Sequence, residues 1–191
     1  DQRISMYGNS SSPLWEVPVT SDWEWAVDMT EDGEWVVSGS GNTVQVYMES
    51  SSVVFWELTM DGNVMGVKLS PDGTTVFVAD NNHDGLGNAY VSAYTVGESV
   101  PEWEIPFTGD GTVFTASRDG SRLVFCQYTG YNKMWVIDGD NGDILFDAFY
   151  ANQNPPGLSN DGSVIVNGDY SGNVYLYKYN ETLNSYEEKW T

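Results

Sequence analysis

The stretch LSPDGTTVFVADNNHDGLGNAYVSAYT, residues 69–95, decides the fold that the sequence predicts. It contains a strand-like run, an Asp72-Gly73 pair, a second run at TTVFVAD (74–80), a polar loop and a third run at AYVSAYT (89–95). Alternation of apolar with small or polar residues is typical of half-buried strands, and Asp-Gly supplies the positive φ angles of tight hairpins. The stretch therefore predicts an antiparallel sheet.

The same pattern recurs along the 191 residues of the chain. Asp-Gly pairs begin at Asp32, Asp72, Asp119 and Asp161, which are 40, 47 and 42 residues apart. A second series, spaced by 41, 47, 43 and 44 residues, consists of Trp15, Trp56, Trp103, Phe146 and Trp190. Two independent markers that keep one period of this length are typical of the blades of a β-propeller.

We therefore predict an all-β protein, a β-propeller of four-stranded antiparallel blades in a single domain. Four blades are complete and a half-blade precedes them at the N-terminus. The predicted boundaries are 1–20 for the half-blade and 21–60, 61–108, 109–150 and 151–191 for the blades. The chain is then either part of a longer propeller, which we favour, or a small ring closed with an incomplete blade.

Charge excludes two classes of partner. The net charge is −21, from 28 acidic and 7 basic residues, and such a chain is repelled by nucleic acid and by anionic membrane surfaces. No apolar run is long enough to insert into a membrane. The acidity suits cation binding or an extracellular setting, and simple solubility is the alternative explanation. The single cysteine, Cys126, cannot form an intrachain disulfide and is expected to be buried.

Two segments carry a resemblance to known propeller repeats. KMWVIDGDNGDILFDAF (133–149) resembles the quinoprotein-dehydrogenase-like repeat, and LSPDGTTVFVAD (69–80) is similar to surface-layer and WD-repeat-like (WD40-like) repeats. The resemblance implies blade architecture. Quinoprotein dehydrogenases hold their quinone above a full ring and many have adjacent cysteines, whereas this chain has one Cys and about half the blades. We therefore expect neither the quinone cofactor PQQ nor dehydrogenase activity.

The polar loop after residue 79 predicts a calcium site. Its spacing places oxygen-bearing side chains at positions 1, 3, 5 and 9, which resembles the calcium loops of EF-hands and of integrin-type propeller blades. The predicted ligands are Asp80, Asn82, Asp84, Asn88 and the backbone carbonyl of Leu86. Val91 stands where an EF-hand has its bidentate Glu, so affinity would be weak. The alternative is a polar hairpin loop, and the loop is not expected to recur in other blades.

The connections from each outer strand to the next inner strand share one face of a propeller, where ligands commonly bind. The residues predicted to cluster there are Trp23, Trp25, Asp61, Asn63, Asp110, Asn152 and Asn154. Aromatic side chains combined with amides and carboxylates suit a sugar or a peptide. The alternative is that Trp25 belongs to the core and the remainder form a solvated rim.

Two N-glycosylation sequons begin at Asn9 and Asn180, both in predicted loops. They favour an extracellular or cell-surface location. The chain has one histidine, His83, so a Ser-His-Asp triad would depend entirely on that loop residue, and no spacing singles out a pair of catalytic carboxylates. The sequence thus gives no support for catalysis.

The predicted function is a noncatalytic extracellular or cell-surface module that mediates binding or assembly and is stabilised by calcium. Its partner would be a protein or a glycan, or else further blades or a second subunit that complete the half-blade. The alternative function is a fragment of a propeller enzyme, quinoprotein-like or glycan-active, whose site is completed elsewhere.

Overall fold

The residues described in the computed structural model form eighteen β-strands in five antiparallel sheets. The structure describes residues 3–19, 24–82, 84–111, 113–127, 132–149 and 155–190, with backbone alone at residues 24 and 25. The strands are β1 (Arg3–Tyr7), β2 (Pro13–Pro18), β3 (Glu24–Met29), β4 (Trp35–Ser40), β5 (Thr43–Met48), β6 (Trp56–Thr59), β7 (Asn63–Leu69), β8 (Thr75–Asn81), β9 (Ala89–Thr95), β10 (Trp103–Phe107), β11 (Val113–Ala116), β12 (Arg122–Gln127), β13 (Lys133–Asp138), β14 (Ile144–Phe149), β15 (Gly157–Leu158), β16 (Val164–Gly168), β17 (Val174–Asn180) and β18 (Ser185–Trp190).

The predicted propeller architecture is confirmed. Strands β1 and β2 form the half-blade, and β3–β6, β7–β10, β11–β14 and β15–β18 form four sheets in which each strand pairs with its neighbour in sequence. We number these sheets blade 1 to blade 4. The first strand of blade 4 comprises only Gly157–Leu158. None of the described residues belongs to a helix of the length and hydrophobicity that a membrane span requires.

The same set of contacts closes the turn between the first and second strands in each complete blade. In blade 3, the Ser117 hydroxyl donates to Asp119 Oδ1 at 2.7 Å and accepts the N–H of Arg122 at 3.0 Å. Gly120 follows with a φ of 73°, a left-handed conformation that glycine adopts without strain. The hydroxyls of Thr30, Ser70 and Ser159 make the same pair of bonds in the other blades. The hydroxyl two residues before Asp is therefore part of the repeat.

The blades stack in sequence order, and an apolar cluster fills each of the four gaps. We call the surface that a blade turns towards the next one its forward face, and the opposite surface its rear face. Alternate residues of the second strand belong to opposite faces: Val37 packs against blade 2, whereas Val36 packs against the half-blade. Period-two alternation thus places apolar residues on both faces, which explains why the interior strands are buried throughout.

Small residues mark the places where consecutive blades come closest. The second strands carry Gly39, Ala79, Cys126 and Gly168 at the same position, seven residues after the Asp of the turn. A Cβ atom at Gly39 would clash with Val64 on the first strand of blade 2. The inner strand of the following blade therefore requires a small side chain opposite it.

Two tryptophans of the aromatic series, Trp15 and Trp103, clamp the outer strand of one sheet to a turn of the next. Trp103 Nε1 donates to the carbonyl of Gly139 at 3.2 Å, across the gap between blades 2 and 3. Trp15 Nε1 donates to the carbonyl of Glu49 at 2.7 Å, and Glu49 occupies in blade 1 the position of Gly139 in blade 3. The marker that revealed the repeat in the sequence is thus an inter-blade contact.

The half-blade leaves an apolar cavity beside blade 1. The cavity measures about 720 Å³, and its lining includes Ile4, Met6 and Val36 together with the exposed side chains of Val27 and Met29. A complete blade would place its first two strands in this region. The apolar clusters of the described residues join the half-blade to blade 1, and none of them joins it to blade 4.

Candidate functional site: the loop face

Two of the predicted binding-face connections lie within the described residues. The β6–β7 connection presents exposed Asp61, Asn63 is the exposed first residue of β7, and the β10–β11 connection presents exposed Asp110. Trp23, Asn152 and Asn154 lie outside the described residues, as does the side chain of Trp25. The structure therefore places three of the seven predicted residues at the surface of one face, which we call the loop face.

Buried polar side chains at the ends of second strands fix the backbone of these connections. Asp80, fully buried at the end of β8, accepts the N–H of Gly62 at 3.0 Å. Gln127, at the same position in β12, donates through Nε2 to the carbonyls of Thr108 at 3.0 Å and Gly109 at 2.7 Å. In blades 2 and 3, the second strand thus ends in a polar residue that fixes the connection preceding its own blade. Asp80, predicted as a calcium ligand, has a structural partner inside the blade.

Asparagine side chains tie the loop face together between blades. Asn81 Oδ1 accepts the N–H of Gly111 at 2.7 Å, and its Nδ2 donates to the Gly111 carbonyl at 3.1 Å. Asn88 Oδ1 accepts the N–H of Gly109 at 3.1 Å. The β8–β9 loop, which includes the predicted calcium ligands, therefore belongs to the same surface as the predicted binding residues. The spacing of the sequence predicted the loop and the binding residues separately, but not that they share one surface.

The second half of the predicted calcium loop is a turn that recurs in blade 4, contrary to our expectation. Asp84 Oδ1 accepts the N–H groups of Leu86 at 2.8 Å and Asn88 at 3.4 Å, and its Oδ2 accepts Asn88 Nδ2 at 2.6 Å. Asp169 makes the corresponding bonds to Ser171 and Asn173. The Asn side-chain amides, followed by backbone N–H groups, lower the pKa of both carboxyls. The signal in the sequence is Asp-x-x-Gly-Asn, in which the Asn follows the Asp by four residues.

This turn gives the Asp-rich spacing a second explanation besides calcium. The oxygens of Asp84 accept N–H donors of the loop, Asn82 Oδ1 accepts the N–H of Gly87 at 3.0 Å, and the Leu86 side chain is exposed. His83 lies outside the described residues. Among the residues that the structure does describe, no group of three His, Cys, Asp or Glu side chains is arranged to hold a metal ion. Calcium binding stays a prediction.

A polar cavity on the opposite, turn-bearing face was missed by the sequence reasoning. It measures about 380 Å³ and lies between the inner strands of blades 1, 2 and 3. Lys68 Nζ lies 3.4 Å from Asp28 Oδ1, and Arg118 reaches across the opening to Glu31 at 2.6 Å. Asp28 and Lys68 stand at the same repeat position, two residues before the turn hydroxyl. Aligning the inner strands by their Asp-Gly turns would have found this pair.

The sequons lie in turns. Asn9 is exposed between β1 and β2. Asn180 ends β17, and its side-chain oxygen accepts the N–H of Thr182 at 3.0 Å. Both positions are at the third-to-fourth-strand turn, as the sequence predicts.

Comparisons with known proteins identify a fold. No family model matches the chain, and no curated protein matches it. In contrast, 1138 solved chains match its structure, so the architecture is too widely shared to select one function. The β-propeller domain of Cps50 (Swd1) from Myceliophteria thermophila is similar with a TM-score of 0.66 and 12% identity, over 88% of this chain and 55% of that domain. This chain spans about half the length of that structure, and what the likeness shows is a β-propeller fold.

Proposed function

We propose that this chain is a noncatalytic propeller module that mediates binding or assembly, and that its loop face binds a protein. The observation that carries the proposal is that side chains of the blades hold the loop-face connections in place. Buried Asp80 and Gln127 and the side chain of Asn81 fix their backbone from within the blades. Exposed Asp61, Asn63 and Asp110 are thus presented on a preorganised surface, which reduces the entropy cost of binding.

The chemistry of this face favours a basic partner. Two exposed carboxylates stand beside one amide, in a chain whose net charge is −21. Such a field accelerates encounter with positively charged ligands and repels acidic ones. We therefore propose a Lys- and Arg-rich protein segment as the ligand.

A library of synthetic basic peptides, together with a glycan array, tests this function. We expect selective peptide binding that weakens with salt and falls at least tenfold in D61K/D110K. The matched control is E98K/D140K, which reverses two exposed carboxylates in third-to-fourth-strand turns and should retain most of the binding. Equal losses of peptide binding in both double variants would show that the interaction depends on net charge alone, and would contradict a defined site. Binding to glycans alone would exclude the peptide proposal.

An extracellular or cell-surface location is part of the proposal. The acidity of the chain and the placement of Asn9 and Asn180 in surface turns support it. Mass spectrometry of protein from its native source should find glycans on at least one of these asparagines. Bare side chains at both positions would remove this support.

Calcium stabilisation is also proposed, on the oxygen spacing of residues 80–88. Millimolar Ca²⁺ should raise the melting temperature of the wild type but not of D84N, which keeps a hydrogen-bond acceptor and loses the charge. D169N is the control, because Asp169 makes the same turn outside the predicted site. An equal response of all three proteins would show that the ion acts elsewhere.

Two further parts of the proposal concern the relationship of this chain to other propellers and the completion of its half-blade. A closer relationship to quinoprotein-like and surface-layer propellers is supported by the repeat in residues 133–149, whose Gly139 accepts the clamp from Trp103. Completion of the half-blade by further blades or a second subunit is supported by the apolar cavity beside blade 1. Discovery of a longer polypeptide carrying the chain and a complete cofactor site would instead favour the enzyme-fragment alternative.

A further inference from the structure

The polar cavity on the turn-bearing face brings together charged side chains from three blades. Its lining comes from the ends of the inner strands of blades 1, 2 and 3 and from the turns that follow them, at residues 28–31, 68–71 and 116–118. Among the described residues, none of the half-blade or of blade 4 belongs to this lining. The cavity is therefore formed by the blades that have a neighbour on both sides.

Inside the cavity, a fixed carboxylate lies beside an ammonium group that keeps donors for a ligand. Asp28 Oδ2 accepts the backbone N–H of Leu69 at 3.0 Å, which holds the Asp28 carboxylate in place. Its Oδ1 lies 3.4 Å from Lys68 Nζ, a separation longer than the roughly 2.8 Å of a tight charge-assisted hydrogen bond. Because an ammonium group has three N–H donors, Lys68 can bind a further anionic group while it stays beside Asp28.

A second ion pair crosses the mouth of the cavity. Arg118 Nη2 of blade 3 lies 2.6 Å from Glu31 Oε1 of blade 1. The two side chains are 56% and 71% exposed, and exposed ion pairs contribute little to stability because water solvates the separated charges well. A ligand can therefore separate this pair at small cost, and it then meets a guanidinium group and a carboxylate on opposite sides of the entrance.

The charges of the cavity balance, which is unusual in this chain. The sequence has 7 basic residues against 28 acidic ones, yet Lys68 and Arg118 stand in the cavity opposite Asp28 and Glu31. A ligand that carries only negative charge is repelled by the net charge of −21, and one that carries only positive charge leaves both basic side chains without a ligand group. A zwitterion offers each sign of charge a partner.

Apolar side chains complete the lining. Leu69 is buried and Met29 is exposed, and Pro71 and Ala116 also line the cavity. Its volume of about 380 Å³ falls within the roughly 300–1,000 Å³ that is usual for small-molecule sites. The cavity thus combines paired charges with an apolar wall, at the size of a small organic ligand.

We propose that this cavity binds a free α-amino acid with an apolar side chain. The ligand carboxylate replaces Glu31 on Arg118 and turns towards Lys68, and the ligand ammonium group binds the Glu31 carboxylate that it displaces. The apolar side chain packs against Met29 and Leu69. This site lies on the face opposite the loop face, so it adds a small-molecule ligand to the protein-binding function proposed above.

Isothermal titration calorimetry with L-leucine and its blocked derivatives tests the charge pattern of the ligand. N-acetyl-L-leucine keeps the carboxylate and loses the positive charge, whereas L-leucinamide keeps the ammonium group and loses the negative charge. We expect L-leucine to bind, and both derivatives and glycine to bind at least tenfold more weakly. No heat with millimolar L-leucine would overturn the proposal, as would a blocked derivative that binds as tightly as L-leucine. Equal binding of glycine would contradict the apolar part of the site.

The variants E31Q and R118Q locate the site, because each removes one charge of the pair at the mouth. Both side chains are exposed, so both variants should melt as the wild type does, and each should bind L-leucine at least tenfold more weakly. K133Q is the matched control, since it breaks the comparably exposed pair of Lys133 with Asp147, at 2.7 Å, outside the cavity.

Two results with these variants would contradict the proposal. Tighter binding of L-leucine to E31Q would mean that Glu31 only competes with the ligand, and an equal loss in K133Q would mean that the loss reflects net charge. Binding of basic peptides at the loop face should be the same in all three variants. The failure of one proposal can thus be distinguished from the failure of the other.

Discussion

At the scale of single residues, the Asp of each Asp-Gly turn is an exposed carboxylate that fixes the turn through its charge and hydrogen bonds. The Ser159 hydroxyl, then the Ser163 N–H and hydroxyl, lower the pKa of Asp161 from 3.8 to about 2. Hydrogen bonds led by Thr30 and Ser70 lower the pKa of Asp32 and Asp72 as well. At Asp119, partial burial raises the pKa but the bonds from Ser117 and Ser121 outweigh it. The ionised form is therefore the one that the fold requires.

Acid should weaken this turn. Because the pKa of Asp161 is lower in the folded than in the unfolded chain, the unfolded chain binds more protons as the pH falls below 3.8. The stabilisation from ionised Asp161 is fully present above that pH and is lost as the pH falls through about 2. We expect D161N to lower the melting temperature most at pH 5 to 7, with the difference from wild type shrinking towards pH 2. A difference that stays constant down to pH 2 would show that the charge contributes nothing.

At the scale of elements, the tryptophan clamp should hold the outer strands in place. W103F keeps the aromatic contact and loses the hydrogen bond to Gly139, and we expect a loss of about 1 kcal/mol in the free energy of unfolding. Urea unfolding of dilute protein provides the measurement. W190F is the control, because Trp190 is half exposed. Equal losses in both variants would contradict a specific clamp.

Blade organisation could be predicted from the sequence because its two markers have local and repeated causes. The Asp72-Gly73 pair marks a turn whose geometry is set within six residues. Trp103 belongs, with Trp15, Trp56 and Phe146, to a series of aromatic side chains that pack in the gaps between blades. Contacts between distant segments bring together Asp80, Asn81 and Gly111 on one face. The spacing of residues in the sequence could not reveal this arrangement. For Asp84 the sequence leaves two explanations open, because a self-bonded turn and a metal loop draw on the same Asp, Asn and Gly residues.

At the scale of the whole molecule, stability should depend on position in the stack. Among the residues that the structure describes, blades 1 to 3 contribute to apolar clusters on both faces, whereas the half-blade and blade 4 each contribute on one. In such arrays the end units open at lower free energy than interior units. We expect amide hydrogen exchange to be slowest in β8 and β12 and faster in β1 and β18. Uniform protection from end to end would indicate a single cooperative unit instead.

Cys126 gives this stack an internal reporter. Its thiol is fully buried in the cluster between blades 3 and 4, and the chain contains no second cysteine. A thiol-modifying reagent can therefore react only when those two blades separate or the surrounding sheet opens. The labelling rate would measure the opening frequency of one defined interface, without any mutation or attached probe.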